Sequence, residues 1–71
     1  MFGPQAYEDL FLTKHSKWKV MHVEYDGMRY TYSYNWEVLE MFGSAKKFKE
    51  WCIEDVMTLD GKYSDSIEVI R

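Results

Sequence analysis

An aspartate–glycine step, Asp26-Gly27, divides two runs of strand formers at residues 17–25 and 28–34, and it constrains this chain more than any other feature. A two-residue hairpin loop of type I′ needs positive φ at both central positions, which aspartate tolerates and glycine adopts without steric cost. If Asp26 and Gly27 form that loop, the register follows. Tyr25 faces Met28, Glu24 faces Arg29, Val23 faces Tyr30, and the pairing runs outward to Lys19 opposite Tyr34.

Alternation then sorts the side chains. One face carries Met21, Val23, Tyr25, Met28, Tyr30, Tyr32 and Tyr34, an apolar surface suited to lying against helices. The other carries Trp18, Val20, His22, Glu24, Arg29, Thr31 and Ser33, where Glu24 and Arg29 form a cross-strand pair of opposite charge. Buried phenols need hydrogen-bond partners, so some tyrosine hydroxyls are expected to emerge at the sheet margin.

The remaining elements arrange themselves around the hairpin. Gly3-Pro4 followed by Gln-Ala-Tyr-Glu-Asp-Leu reads as a short N-terminal helix, with proline in its first turn and acids early. Its buried stripe would be Ala6 and Leu10 with Tyr7 and Phe11, and residues 13–16 would form a polar connection. Asn35 is the expected N-cap of a helix from Trp36 to Phe42, stopped by Gly43, and Ser44 caps the next. From Ala45, the positions Phe48, Trp51, Cys52, Val56 and Leu59 follow the three-and-four spacing of a helix on a core, widened by Ile53 and Met57. This main helix is expected to cover the tyrosine face.

Lys46, Lys47 and Lys49 crowd its N-terminal turns, where the helix dipole disfavours cations. Asp60-Gly61 is a second turn signal. Residues 66–70 read as a last strand beside the first hairpin strand, with Ile67 and Val69 on one face; a second hairpin about Asp60-Gly61 is the alternative. The expected architecture is one compact α+β domain over residues 1–71. It comprises a short N-terminal helix, a β-hairpin, a main helix and a C-terminal strand that completes a three-stranded antiparallel sheet.

A chain of 71 residues sits near the size at which one core only just offsets chain entropy. Aromatics at 18% of residues supply large buried areas at low rotamer cost. Cys52 is the only cysteine, so no internal disulfide helps, and an unpaired thiol suits a reducing compartment. No stretch has the form of a signal peptide or a membrane span, and the expectation is a cytoplasmic protein without membrane contact.

The net charge of −3 is unevenly spread. Residues 14–19 hold Lys14, Lys17, Lys19 and His15 with no acid, whereas residues 50–68 hold Glu50, Glu54, Asp55, Asp60, Asp65 and Glu68 against Lys62 alone. This polarity argues against general polyanion binding and suits a partner with a basic patch.

Catalytic chemistry finds little footing here. Cys52 with His22 or His15 is the only nucleophile–base set, and Cys52 falls within the helical apolar stripe, where it acts as a small hydrophobe. His15, His22 and Cys52 lack metal-ligand spacing, and the glycines are too isolated to cradle phosphate. No catalytic residue, metal or cofactor is expected, and the chain reads as non-enzymatic.

Trp18 beside His22, Glu24 and Arg29 has the composition of an interaction hot spot, a large aromatic and an arginine within a polar rim. Trp18 either stands exposed or packs under the N-terminal helix. With Glu54 and Asp55 these residues form the expected partner-binding set. Such a module would occlude a site on a larger, nucleic-acid-processing or other, protein.

The alternative is a nucleic-acid accessory protein. It would use Lys14, Lys17 and Lys19 next to a stacking tryptophan, with Lys46, Lys47 and Lys49 on phosphate. The bland reading of Lys17 and Lys19 is that they shield an edge strand. Homodimerisation through a sheet edge is a third expectation.

The order of hairpin, Tyr30-x-Tyr32 and a helix ending near Phe48 and Ile53 resembles the small KTSC domains. The hairpin loop is shorter, however, and Gly43-Ser44 replaces the usual serine–glycine region, so no family is assigned. In size, acidity and compactness the chain also resembles small phage or mobile-element proteins that disable host machinery, an analogy of composition only.

Overall fold

A computed structural model describes residues 3–10 and 18–70. Its elements are β1 (Gln5–Leu10), β2 (Lys19–Tyr25), β3 (Met28–Tyr34), α1 (Trp36–Phe42), α2 (Ala45–Leu59) and β4 (Ser66–Val69). The strands form one four-stranded antiparallel sheet in the order β1-β2-β3-β4, with both helices inserted between β3 and β4.

The hairpin register is the one that turn chemistry requires, from Tyr25 opposite Met28 to Lys19 opposite Tyr34. Asp26 and Gly27 take φ values of 53° and 77°, as a type I′ loop demands. Met21, Val23, Tyr30, Tyr32 and Tyr34 are buried, and α2 closes over them with Phe48, Cys52 and Val56. Phe48 packs 4.8 Å from the Tyr34 ring, centroid to centroid.

The helix signals also hold. Asn35 accepts the Val38 N–H at 3.1 Å, and Gly43, at φ 98°, donates to the Leu39 carbonyl. Ser44 accepts the Lys47 N–H at 3.2 Å to open α2. α2 runs to Leu59, so the alternative hairpin about Asp60-Gly61 does not form.

Three expectations are corrected. The N-terminal segment is not a helix but strand β1, paired with β2 from Gln5 opposite Glu24 to Leu10 opposite Lys19. A helix so short is marginal by itself, whereas the same residues satisfy the backbone donors and acceptors along β2. Alternation fits too, since partly buried Ala6 packs against the core and Tyr7 stands on the opposite face opposite His22.

The sheet accordingly has four strands rather than three. The final strand does not join β2, whose outer edge β1 occupies; it pairs with β3, from Met28 opposite Val69 to Thr31 opposite Ser66. Beyond β4 the ladder gains one further step, because the Asp65 carboxylate accepts the Ser33 N–H at 2.8 Å.

The buried line of α2 is also narrower than the periodicity implies. Leu59 and Met57 are about half exposed, and the interior face is Phe48, Cys52, Asp55 and Val56. The expected polar connection at residues 13–16, and Phe11, lie outside the described residues.

Candidate functional site

The sheet separates two surfaces. On its outer face, away from α2, the register brings Tyr7 beside His22 and Glu24 beside Arg29. The Tyr7 hydroxyl donates to Glu24 Oε2 at 2.7 Å, and Arg29 Nε donates to the same oxygen at 3.0 Å. His22 Nδ1 lies 3.1 Å from Thr31 Oγ1, and its ring centroid is 5.1 Å from that of Tyr7.

The Tyr7 hydrogen bond, with Arg29 next, holds the Glu24 carboxyl below its ordinary range, and Glu24 in turn raises Arg29. The ionised form of Glu24 is thereby favoured, and it engages Arg29 through Nε. This preorganises the group without exhausting the guanidinium's donors.

Three strands contribute to this cluster. Sequence reasoning found His22, Glu24 and Arg29 through the hairpin but missed Tyr7, because β1 had been read as a helix. No period-two pattern marks Gln-Ala-Tyr-Glu, where apolar Ala6 and Tyr7 are adjacent, so Tyr7 is placed only by the pairing of β1 with β2.

Trp18 lies just ahead of β2, with 37% of its surface exposed. With β1 in place of the N-terminal helix, packing beneath such a helix is excluded. Val20 is buried although it belongs to the outer face.

Glu54 and Asp55 do not join this cluster. Both are on α2, which covers the opposite side of the sheet. Asp55 is moreover corrected from a surface residue to an interior one, 3% exposed. Its Oδ2 accepts the Tyr32 hydroxyl at 2.7 Å and the Tyr63 N–H at 3.0 Å. The driving cause is the phenol, which needs a partner in the core and finds it on the helix above.

Two buried tyrosines therefore end on carboxylates, since the Tyr34 hydroxyl donates to Glu8 of β1. Burial, followed by the bond to Asp55, pushes the Tyr32 phenol far above its ordinary range.

Of the cations, Lys46, Lys47 and Lys49 are exposed on the first turns of α2, and Lys19 is exposed on β2. The edge-shielding reading of Lys19 is corrected, because β2 is an interior strand. Lys14 and Lys17 lie outside the described residues.

Burial, with the nearby Asp55 charge adding to it, pushes the Cys52 thiol up to about 12, so it is held as the neutral thiol. Among the described residues no group of His, Cys, Asp or Glu is placed to hold a metal ion, and no helix is long and apolar enough to cross a membrane.

The fold defines a small α+β domain with a four-stranded antiparallel sheet and two helices. No protein-family model matches the chain, and comparison with curated proteins and with solved structures likewise finds no match.

Proposed function

We propose that this protein is a non-enzymatic binding module that occludes a site on a larger protein partner, in the manner of small phage or mobile-element proteins acting on host machinery. The observation that carries the reading is the outer-face cluster of Tyr7, His22, Glu24 and Arg29, with exposed Trp18 at the far end of β2 from the Glu24–Arg29 pair. Hydrogen bonds organise this group before any partner arrives, which lowers the entropy cost of docking. Tyr7 and Arg29 meeting on one carboxylate give the aromatic and arginine that binding hot spots favour.

The test is capture of a partner by the tagged protein from a host lysate, followed by Trp18→Ala and Arg29→Ala. Each variant is expected to lower retention at least about tenfold. Undiminished capture by both overturns the assignment of this face.

The second reading, a nucleic-acid accessory protein, is favoured by Lys46, Lys47 and Lys49 standing exposed together at the start of α2. Fluorescence anisotropy with single-stranded oligonucleotides at low and high salt decides it, because counterion release makes such binding fall steeply with salt. Self-association has its own support in β4, an edge strand whose four residues are all exposed. Light scattering over a concentration series tests that contact.

A further inference from the structure

The helical side of the molecule carries a second recessed surface, separate from the sheet face. Trp51 lies at its centre, with its ring centroid 5.4 Å from Phe42 and 5.8 Å from Tyr63. To one side is an apolar hollow of about 280 Å³, with Val38, Met41 and Phe42 of α1 among its walls. To the other is a smaller notch of about 130 Å³ bounded by Trp51, Glu54, Asp55, Thr58, Leu59 and Tyr63.

At the notch Asp55 uses only one oxygen for its two internal hydrogen bonds. Its Oδ1 is buried and has no hydrogen-bond partner among the described residues. An unmatched carboxylate oxygen in the interior is costly, and it marks where a donor from outside would be rewarded.

Glu54 stands on the notch wall and Asp65 on the wall of the adjoining hollow, with Lys62 as the nearby cation. The chain's own Lys62 ammonium already lies 5.5 Å from the Tyr63 ring centroid, so an aromatic wall of this notch accepts a cation.

We propose that the notch receives the guanidinium of an arginine on a partner protein segment, and that an apolar neighbour of that arginine fills the Val38–Met41–Phe42 hollow. Guanidinium suits the site better than ammonium. Its plane stacks on Trp51 and Tyr63, while its fork of donors reaches Asp55 Oδ1 and the Glu54 carboxylate together. Oδ1 is buried in the free chain, so reaching it requires a side chain of the notch wall to move; Tyr63, 55% exposed on the segment after α2, is the one proposed to do so. This site stands independently of the outer sheet face, so one partner can engage either surface without the other.

The experiment is a titration of the isotope-labelled full chain, followed by amide and indole NMR. The probes are three capped dipeptides, leucyl-arginine, leucyl-lysine and leucyl-citrulline amides. The arginine peptide is expected to shift the Trp51 indole and the Glu54, Asp55 and Tyr63 amides. Its affinity should exceed that of the neutral citrulline peptide at least about tenfold, with lysine between them.

Glu54→Gln, an exposed change that leaves the core intact, is expected to weaken the arginine peptide severalfold. Arg29→Ala, on the opposite face, should leave it unaffected. Equal binding of the citrulline peptide, shifts confined to other surfaces, or no shift at Trp51 up to the solubility limit would each overturn the proposal. Partner capture that depends on Arg29 is unaffected by any of these results, so failure of one surface is distinguishable from failure of the other.

Discussion

Tyr32 of β3 and Asp55 of α2 meet in the interior, the phenol donating to Oδ2 at 2.7 Å, and this bond joins helix to sheet where both side chains are at most 3% exposed. The same oxygen takes the Tyr63 N–H, so one carboxylate ties together β3, α2 and the segment leading to β4. Asp55→Ala strands both donors and is expected to cost about 3 kcal/mol, a large part of the stability of a domain this small. Tyr32→Phe removes one donor only and should cost about 1–2 kcal/mol. Urea unfolding of the two variants checks the order; a smaller loss for the alanine variant would remove Asp55 from its central role.

Gly61 is held by two independent constraints. Its φ of 74° is unfavourable for other residues, and a Cβ there would lie 2.3 Å from Cδ2 of the buried Tyr30 ring. Gly27 has a comparable φ of 77°, but a Cβ there meets nothing within 4 Å. Gly27→Ala is therefore expected to cost about 1 kcal/mol, and Gly61→Ala roughly 3 kcal/mol, because the Tyr30 ring must also move. Thermal melts of both variants test the difference, and equal losses would mean that the ring contact carries no weight.

What was legible in the sequence was whatever local chemistry decides. Asp26-Gly27 dictates the reversal without help from the rest of the chain, and Asn35, Gly43 and Ser44 mark helix ends by their own side chains or backbone freedom. The N-terminal strand was misread because Pro4 and the early acids satisfy helix rules, while the force that makes it a strand, the open edge of β2, lies outside the segment. The place of β4 was lost by the same error, since it depends on which sheet edge β1 leaves open. Asp55 was misassigned for a related reason. An acid next to Glu54 on a helix reads as solvated until the position of Tyr32 beneath it is known. The outer-face cluster was half visible for that reason also, with Tyr7 absent from it until β1 is paired.

Glu24 offers a pH test of the outer-face network. Its folded-state pKa lies below the ordinary value of 4.5, so ionised Glu24 supports the fold above that value, and the support is lost as pH falls through the folded-state pKa. The Tyr7 hydrogen bond is the largest cause and Arg29 the next. Carboxyl NMR titration is expected to find the Glu24 midpoint depressed in the native protein and shifted upward in Tyr7→Phe. An unchanged midpoint in that variant would mean that the 2.7 Å contact does not persist in solution.

The alkaline limb of stability should be set by groups inside the core. The Cys52 thiol, pushed up to about 12 by burial first and the Asp55 charge second, stays neutral in the folded chain through a range where the unfolded thiol ionises from its ordinary 9.0. The Tyr32 phenol shifts in the same direction, for burial and for its bond to Asp55. Because both folded-state values are raised, their contribution is complete below the unfolded values and is lost as pH climbs through and beyond them. Stability is therefore expected to be flat near neutrality and to fall from about pH 9 upward. Cys52→Val keeps an apolar side chain of similar size but removes one titration, so its urea midpoint should decline less between about pH 8 and about pH 11 than that of the native chain. The same burial makes a thiol reagent at neutral pH react only through opening of α2, at a rate that follows global stability across the variants above. Fast labelling of the native chain, with no dependence on urea, would place the thiol at the surface and remove it from the alkaline limb.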